Sequence, residues 1–218
     1  MTERNFAQSE VPMTAVILAG GKSSRMGCDK ALIRFGEETI LEDLVQLTTA
    51  IFRETFIIAS QNKSYQHLNL RGAVILNDFW ENKGPLVGLY TGLSYSTHQV
   101  SCVLTCDMPL VNASLLRELI ALWQDSYDAV CPEDSEGRLQ PFPGIYCRSS
   151  RHFIRLLLDR GETTMRRLFD ILVIRPLVLG KKESEVLANM NTPKDYEQVS
   201  QKKREVNGEI TSPVSSEC

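Results

Sequence analysis

The 218-residue chain lacks most of the features that mark metal-binding, membrane or nucleic-acid proteins. Its six cysteines (Cys28, Cys102, Cys106, Cys131, Cys147 and Cys218) form no Cys-x-x-Cys pair, and its three histidines (His67, His98 and His152) are scattered, which argues against a structural zinc site. Charge of one sign is missing as well. Lys and Arg number 24 against 27 Asp and Glu, a formal net charge of -3, so there is no basic footprint for nucleic acid and a bound nucleotide is expected as a small molecule in a local pocket. No internal repeat is present. Residues 1–13 hold Glu3, Arg4 and Glu10 and no apolar run long enough for a signal peptide; they read as a flexible leader. Cys102, Cys131 and Cys147 lie in apolar, strand-like surroundings and read as small buried thiols of a reducing compartment, which points to the cytoplasm and away from membranes.

A hydrophobic content of 43% over this length suits one α/β domain with a sizeable core. Ala15-Val16-Ile17-Leu18, Phe56-Ile57-Ile58-Ala59, Ala73-Val74-Ile75-Leu76, Val100 to Thr105 and Asp128 to Cys131 are short apolar runs of the kind found in buried parallel strands. Helical patterns fall between them: one after Thr39, one opened by Pro85 at its first position, and one capped by Asn112 and running to Trp123. Such alternation implies βαβ units, a mostly parallel sheet and ligands at the carboxyl ends of its strands. The later part is less regular. Leu139 to Cys147, with its prolines, reads as an edge or mixed strand, and Ile171 to Ile174 as one more strand. Helices are expected over Ser149 to Asp159, Thr163 to Phe169 and Thr192 to Gln198, and residues 201–218 read as a disordered tail. The single domain then covers 14–200, with a nucleotide half over about 14–110 and an acceptor half over about 111–200.

The first strand runs into a glycine-rich loop that carries cations, Leu18-Ala19-Gly20-Gly21-Lys22-Ser23-Ser24-Arg25-Met26-Gly27-Cys28-Asp29-Lys30. Glycines let backbone N–H groups come close to an anion, and Lys22, Arg25 and Lys30 can neutralise a triphosphate. A P-loop would need glycine five positions before Gly21, where Val16 stands, and the spacing of Gly20, Gly21 and Gly27 does not supply a dinucleotide fingerprint.

Other candidates follow strand ends. Asp107, in Cys106-Asp107-Met108-Pro109, sits at the carboxyl end of a strand, where its hard oxygens suit Mg²⁺; it reads otherwise as a cap of the next turn. Asp78, with Gly84-Pro85-Leu86-Val87-Gly88 after it, can accept hydrogen bonds from a guanine edge or a ribose, or can belong to a turn and helix start. Asn189 and Asn191, alternating on an extended segment, can present their amides to one ring edge, and Asn191-Thr192-Pro193 can equally be a capped helix start. Gln140-Pro141, Gly161-Glu162 and the pair Arg166-Arg167 lie in the same half, the arginines as a solvated helix face or an acceptor-phosphate site.

Residues Leu18 to Leu32 resemble the LAGG-x-S-x-R-M-G-x-DK-x-L signature of nucleotidyltransferases, and among them the molybdenum cofactor guanylyltransferase family. The resemblance covers roughly Thr14 to Val199. It implies a three-layer, Rossmann-like α/β fold and transfer of GMP from GTP to the terminal phosphate of Mo-molybdopterin, with pyrophosphate released. It implies Arg25, Lys30 and Asp107 as catalytic residues, with Asp107 as the Mg²⁺ ligand. Nucleotide or acceptor binding is implied for Leu18, Ala19, Gly20, Gly21, Lys30, Asp78, Gly84, Pro85, Leu86, Gly88, Asp107, Asn189 and Asn191. The implied partners are the two substrates and molybdoenzyme or cofactor-biosynthesis proteins, around a monomer. The chain departs from the family's pattern at Cys28, where a second glycine is common, and near Ala59 and Ser60, where a base-contacting Asn is common. Open alternatives are a cytidylyl or sugar-phosphate nucleotidyltransferase and a nucleotide-binding regulator without chemistry.

Overall fold

A computed structural model of the chain describes residues 12–20, 29–61, 63, 65–80 and 84–207, with side chains as far as Lys203. The expectations for the leader before Pro12, for the tail beyond Asn207 and for Gly21, Lys22, Arg25 and Cys28 lie outside the described residues.

Nine strands and six helices are described: β1 (Met13–Leu18), β2 (Arg34–Phe35), β3 (Glu38–Thr39), α1 (Ile40–Thr49), β4 (Glu54–Ala59), β5 (Ala73–Asn77), α2 (Pro85–Tyr95), β6 (Val100–Thr105), α3 (Ala113–Ala121), β7 (Ala129–Glu133), β8 (Gly144–Cys147), α4 (Ser150–Asp159), α5 (Met165–Phe169), β9 (Ile174–Val178) and α6 (Pro193–Asn207). Seven strands form the central sheet in the order β5-β4-β1-β6-β8-β7-β9. All neighbours are parallel except β8, which runs antiparallel to both β6 and β7. Helices flank this sheet, giving the expected α/β fold with a mostly parallel centre. Among the described residues no helix is long and apolar enough to cross a membrane.

Local chemistry accounts for the elements nearest the site. β1 is buried at every position, as its unbroken apolar run requires of a strand covered on both faces. Thr39 and Glu42 close a capping box on α1, each side chain accepting from the other's backbone N–H. Pro85 occupies the first turn of α2, and Gly84 before it has φ +86, a conformation that disfavours side chains. Helix α2 lies very close to β1. A Cβ at Gly92 would clash with Cγ1 of Val16, and one at Gly88 would stand 3.2 Å from Cδ2 of Leu18.

From β1 the chain moves outward through β4 to β5 and then returns to β6 on the other side of β1. The reversal opens a crevice at the carboxyl ends of β1 and β6, the position where open α/β sheets bind ligands. It also brings Lys30, which follows the glycine-rich segment, beside Asp107.

Several expectations need correction. The segment from Leu139 is a mixed strand but not an edge: Leu139 makes an isolated bridge to Glu133, and the continuous ladder to β6 and β7 begins at Gly144, after Pro141 and Pro143, so each residue of the ladder keeps its N–H. The last strand is Ile174–Val178 rather than Ile171 to Ile174, because Leu172 turns into the core and Val173 uses its carbonyl to accept from Asp128 and Ala129. Arg175 and Pro176, which break the apolar pattern, are tolerated there on the sheet edge. Helix α6 continues to Asn207, past the Gln198 expected as its end and into the stretch read as disordered; Lys202 pairs with Glu185 at 3.0 Å, and Lys203 with Asp43. Cys102 and Cys131 are buried free thiols as expected, whereas Cys147 is partly exposed. The short hairpin of β2 and β3, turning at Gly36 and Glu37, is an addition.

Candidate active site

A cavity of about 310 Å³ occupies the crevice. Its walls include Leu18, Ala19 and Gly20 at the end of β1; Asp29 and Lys30 after the loop; Asp78 after β5; Gly84, Pro85 and Gly88 at the start of α2; Thr105 and Asp107 after β6; and Asn191 before α6. Ten described candidates from the sequence therefore meet in one place, though they are spread from Leu18 to Asn191.

Lys30 is at the centre of this arrangement. Its Nζ donates to Oδ1 of Asn191 at 2.7 Å and stands 3.9 Å from Oδ2 of Asp107. Asp107 is fixed by its own strand and by the acceptor half: the Thr105 hydroxyl donates to Oδ1, and the Asp107 carbonyl accepts from the Met190 N–H at 2.7 Å. Asn191 is held by its backbone, because its N–H and that of Thr192 both donate to Oδ2 of Asp195 at 2.8 Å. These hydrogen bonds, led by that of the Asn191 N–H, hold the Asp195 carboxyl below the usual range against a smaller effect of burial.

Asp78 is partly buried on the other wall. Its N–H donates to the Ala59 carbonyl at 2.9 Å, and the Thr91 hydroxyl donates to Oδ1. Burial raises its pKa, opposed by hydrogen bonds from Thr91 and from the N–H groups of Phe79 and Trp80. A carboxylate has about four lone-pair sites, so acceptor capacity remains for a ligand. Ser60, at the position of the family departure, also lines the cavity.

Several candidates fall elsewhere. Leu86 is completely buried in the core and does not line the cavity. Helical geometry explains this: residues four apart share a face, so Gly84 and Gly88 meet the cavity while the residue midway between them faces away. Asn189 is exposed and also absent from the walls, because the segment turns at Asn191 into the cap of α6 and the two amides do not share an edge. Arg166 and Arg167 are exposed on α5, Arg167 lying 3.6 Å from Asp170, and neither lines the cavity. Gln140 donates to Oδ2 of Asp134 at 2.9 Å, away from the cavity walls. Gly21 and Arg25 lie outside the described residues.

Sequence reasoning missed Lys63 and Tyr65. Lys63 donates to Oδ1 of Asp29 at 3.0 Å and to the Ala19 carbonyl at 3.1 Å. The buried Tyr65 hydroxyl lies 2.9 Å from Oδ2 of Asp29 and 3.0 Å from the same carbonyl. No periodic pattern marks either residue, and their partners are 34 to 46 positions away.

Among the described residues there is no cluster of three or more His, Cys, Asp or Glu side chains suited to a metal ion. Asp29 and Asp78 are engaged by protein donors, whereas Asp107 lines the cavity and, among the described residues, its Oδ2 has only the Lys30 ammonium as a charged partner. A single carboxylate of this kind does not suit zinc. It fits Mg²⁺, which takes one or two protein carboxylates and fills its shell with water and substrate phosphates.

The profile of the family described as MobA-like NTP transferase domain matches residues 15–176. A protein of Carboxydothermus hydrogenoformans named probable molybdenum cofactor guanylyltransferase is 33% identical over 192 residues, covering 86% of this chain and 94% of its own. One of the same name from Flavobacterium johnsoniae is 31% identical over 180 residues, covering 83% and 92%. The crystal structure of molybdopterin-guanine dinucleotide biosynthesis protein A from Archaeoglobus fulgidus superposes with a TM-score of 0.73 at 20% identity, over 88% of this chain and 100% of that one, which is a likeness of fold.

Proposed function

The chain belongs to the MobA-like NTP transferase domain family, and from that premise we propose that it transfers GMP from GTP to the terminal phosphate of Mo-molybdopterin, releasing pyrophosphate. The observation that carries this reading is the meeting of Lys30, Asp107 and Asn191 in one cavity. The two ends of the glycine-rich segment, the strand end expected to hold a metal and Asn191 of the segment expected to bind the acceptor converge there.

The acceptor is a phosphate monoester whose second pKa is about 6, so it is largely ionised at neutral pH and needs no protein base. The barrier is the repulsion between two anions and their alignment for in-line attack on the α-phosphorus, both of which positioning and fixed positive charge lower. Lys30 stabilises charge on the transferred group, and Gly20 donates its backbone N–H to phosphate oxygen. Asp78 accepts from the guanine edge or a ribose hydroxyl, while Asn191 orients the acceptor beside Lys30. Asp107 is the residue that would hold Mg²⁺, which when bound supplies neutralisation of the phosphate charge. Arg25 adds a cation from the loop.

The test is pyrophosphate release by the purified protein with Mo-molybdopterin and Mg²⁺, run separately with GTP, CTP, ATP and UTP. Release with GTP alone is the expected result. Ser60 in the cavity, where the family commonly has Asn, makes the cytidylyl reading the rival, and release with CTP alone would establish it. A folded sample that binds triphosphate but releases nothing would mean a different acceptor or a binding protein.

A further inference from the structure

Ala19 and Asp29 flank residues 20–28 of the glycine-rich segment in sequence, and the same two side chains hold both. Lys63 donates to the Ala19 carbonyl and to the Asp29 carboxylate, and the Tyr65 hydroxyl lies within hydrogen-bond distance of both. A tyrosine has one hydroxyl proton, so it serves one of these oxygens at a time, whereas the three ammonium protons of Lys63 serve both. Burial, and then the Asp29 carboxylate, push the Tyr65 hydroxyl well above its usual pKa, so it remains a donor. Asp29 also accepts from the Ala31 N–H at 3.2 Å, which starts the 3-10 turn carrying Lys30.

The electrostatics gives this arrangement a purpose. Asp29 and Lys63 both line the cavity, their side chains 19% and 18% exposed. An uncompensated carboxylate at Asp29 would stand next to Lys30 and oppose a triphosphate, and Lys63 is the cation that pairs with it.

We propose that Lys63 and Tyr65 are positioning residues that clasp Ala19 to Asp29 across the glycine-rich segment, and that Lys63 cancels the charge of Asp29 beside Lys30, so that this carboxylate does not oppose a nucleoside triphosphate in the cavity. The clasp rests on the reading of this loop as the triphosphate site, and the experiment separates the two. GTP affinity is measured by calorimetric titration in Mg²⁺ buffer, beside thermal melts, for the wild type and for Lys63→Met, Tyr65→Phe and the double variant Asp29→Asn/Lys63→Met.

Lys63→Met, which leaves Asp29 unpaired, is expected to bind GTP about tenfold more weakly, and Tyr65→Phe about threefold. The double variant removes both charges and is expected to recover most of the affinity lost by Lys63→Met, a rescue that a purely structural role does not produce. Folded Lys63→Met that binds GTP like the wild type overturns the clasp, and so does failure of Asp29→Asn to rescue it. Should Lys63→Met not fold, Tyr65→Phe decides, and unchanged affinity there overturns the clasp. A wild type that does not bind GTP overturns the functional reading and the clasp's role with it.

Discussion

Lys30 and Asn191 are 161 positions apart in sequence, and their side chains meet at 2.7 Å inside the cavity. Lysine can donate only to the amide oxygen, so the Asn191 amide presents its two N–H donors elsewhere. Asp195 independently fixes the Asn191 backbone, so the side chain is not needed to hold this segment, and under the proposed function it links Lys30 to the acceptor.

Asn191→Ala is therefore expected to raise the KM for Mo-molybdopterin about tenfold, the cost of a hydrogen bond to a charged group, with a smaller effect on the KM for GTP. Thermal stability should be unchanged, because the cap of α6 is made by backbone N–H groups that the substitution keeps. Equal rises in both KM values would remove Asn191 from the acceptor side. Steady-state kinetics with each substrate varied in turn checks this.

Asp107 separates catalysis from folding in the same way. Its carbonyl, not its carboxylate, holds Met190, and its side chain is only partly buried. Asp107→Ala should lower turnover by at least about a hundredfold, the scale of losing a group aimed at developing charge, while its melting temperature stays near that of the wild type. Pyrophosphate release at the wild-type rate would refute the assignment of Asp107 as the metal-holding carboxylate.

Gly92 sets how closely α2 packs on β1, and through α2 the positions of Gly84 and Gly88. In Gly92→Ala the new methyl group would need the space of Val16 Cγ1, in a strand that is buried throughout. Alanine favours helix by about 1 kcal/mol over glycine, but overpacking a tight core costs about 1–3 kcal/mol. A net loss of about 1 kcal/mol is expected. Adding Val16→Ala should restore part of it, a non-additivity that a double-mutant cycle by urea unfolding would detect. Additive losses would show that the close approach is not what constrains this helix.

Residues whose signals are local were legible in the sequence, and residues whose signals depend on the fold were not. Thr39, Pro85 and Asn112 announce their helices because a cap or a first-turn proline acts within three or four residues. β1 announces itself by a continuous apolar run. The insertion of β8 between β6 and β7 has no such mark, because a short run with nearby prolines looks the same at an edge as inside. Leu86 shows the same limit within the site: it shares a motif with Gly84 and Gly88, yet the helical turn sends it into the core. Lys63 and Tyr65 were invisible because an ion pair and a hydroxyl contact between distant segments leave no periodic trace.

The turn between β7 and β8 makes a pH-dependent prediction. Burial pushes the Asp134 carboxyl up, but donors converge on it more strongly: the Arg138 N–H and guanidinium, the Glu136 N–H and the Gln140 amide hold it down to about 2. A pKa depressed in the folded state means stability that is present above the ordinary value of 3.8 and is lost as the pH falls toward about 2. Asp134→Asn lacks the titrating group, so its stability should fall less steeply than that of the wild type across that window, although it begins lower at neutral pH. Urea unfolding at stepped pH between 6 and 2 provides the comparison, and parallel curves would mean that Asp134 is not linked to folding. Gln140 and Arg138 depend on this carboxylate for their placement, so a similar loss of order should appear near neutral pH in Asp134→Asn as raised proteolytic sensitivity at the turn.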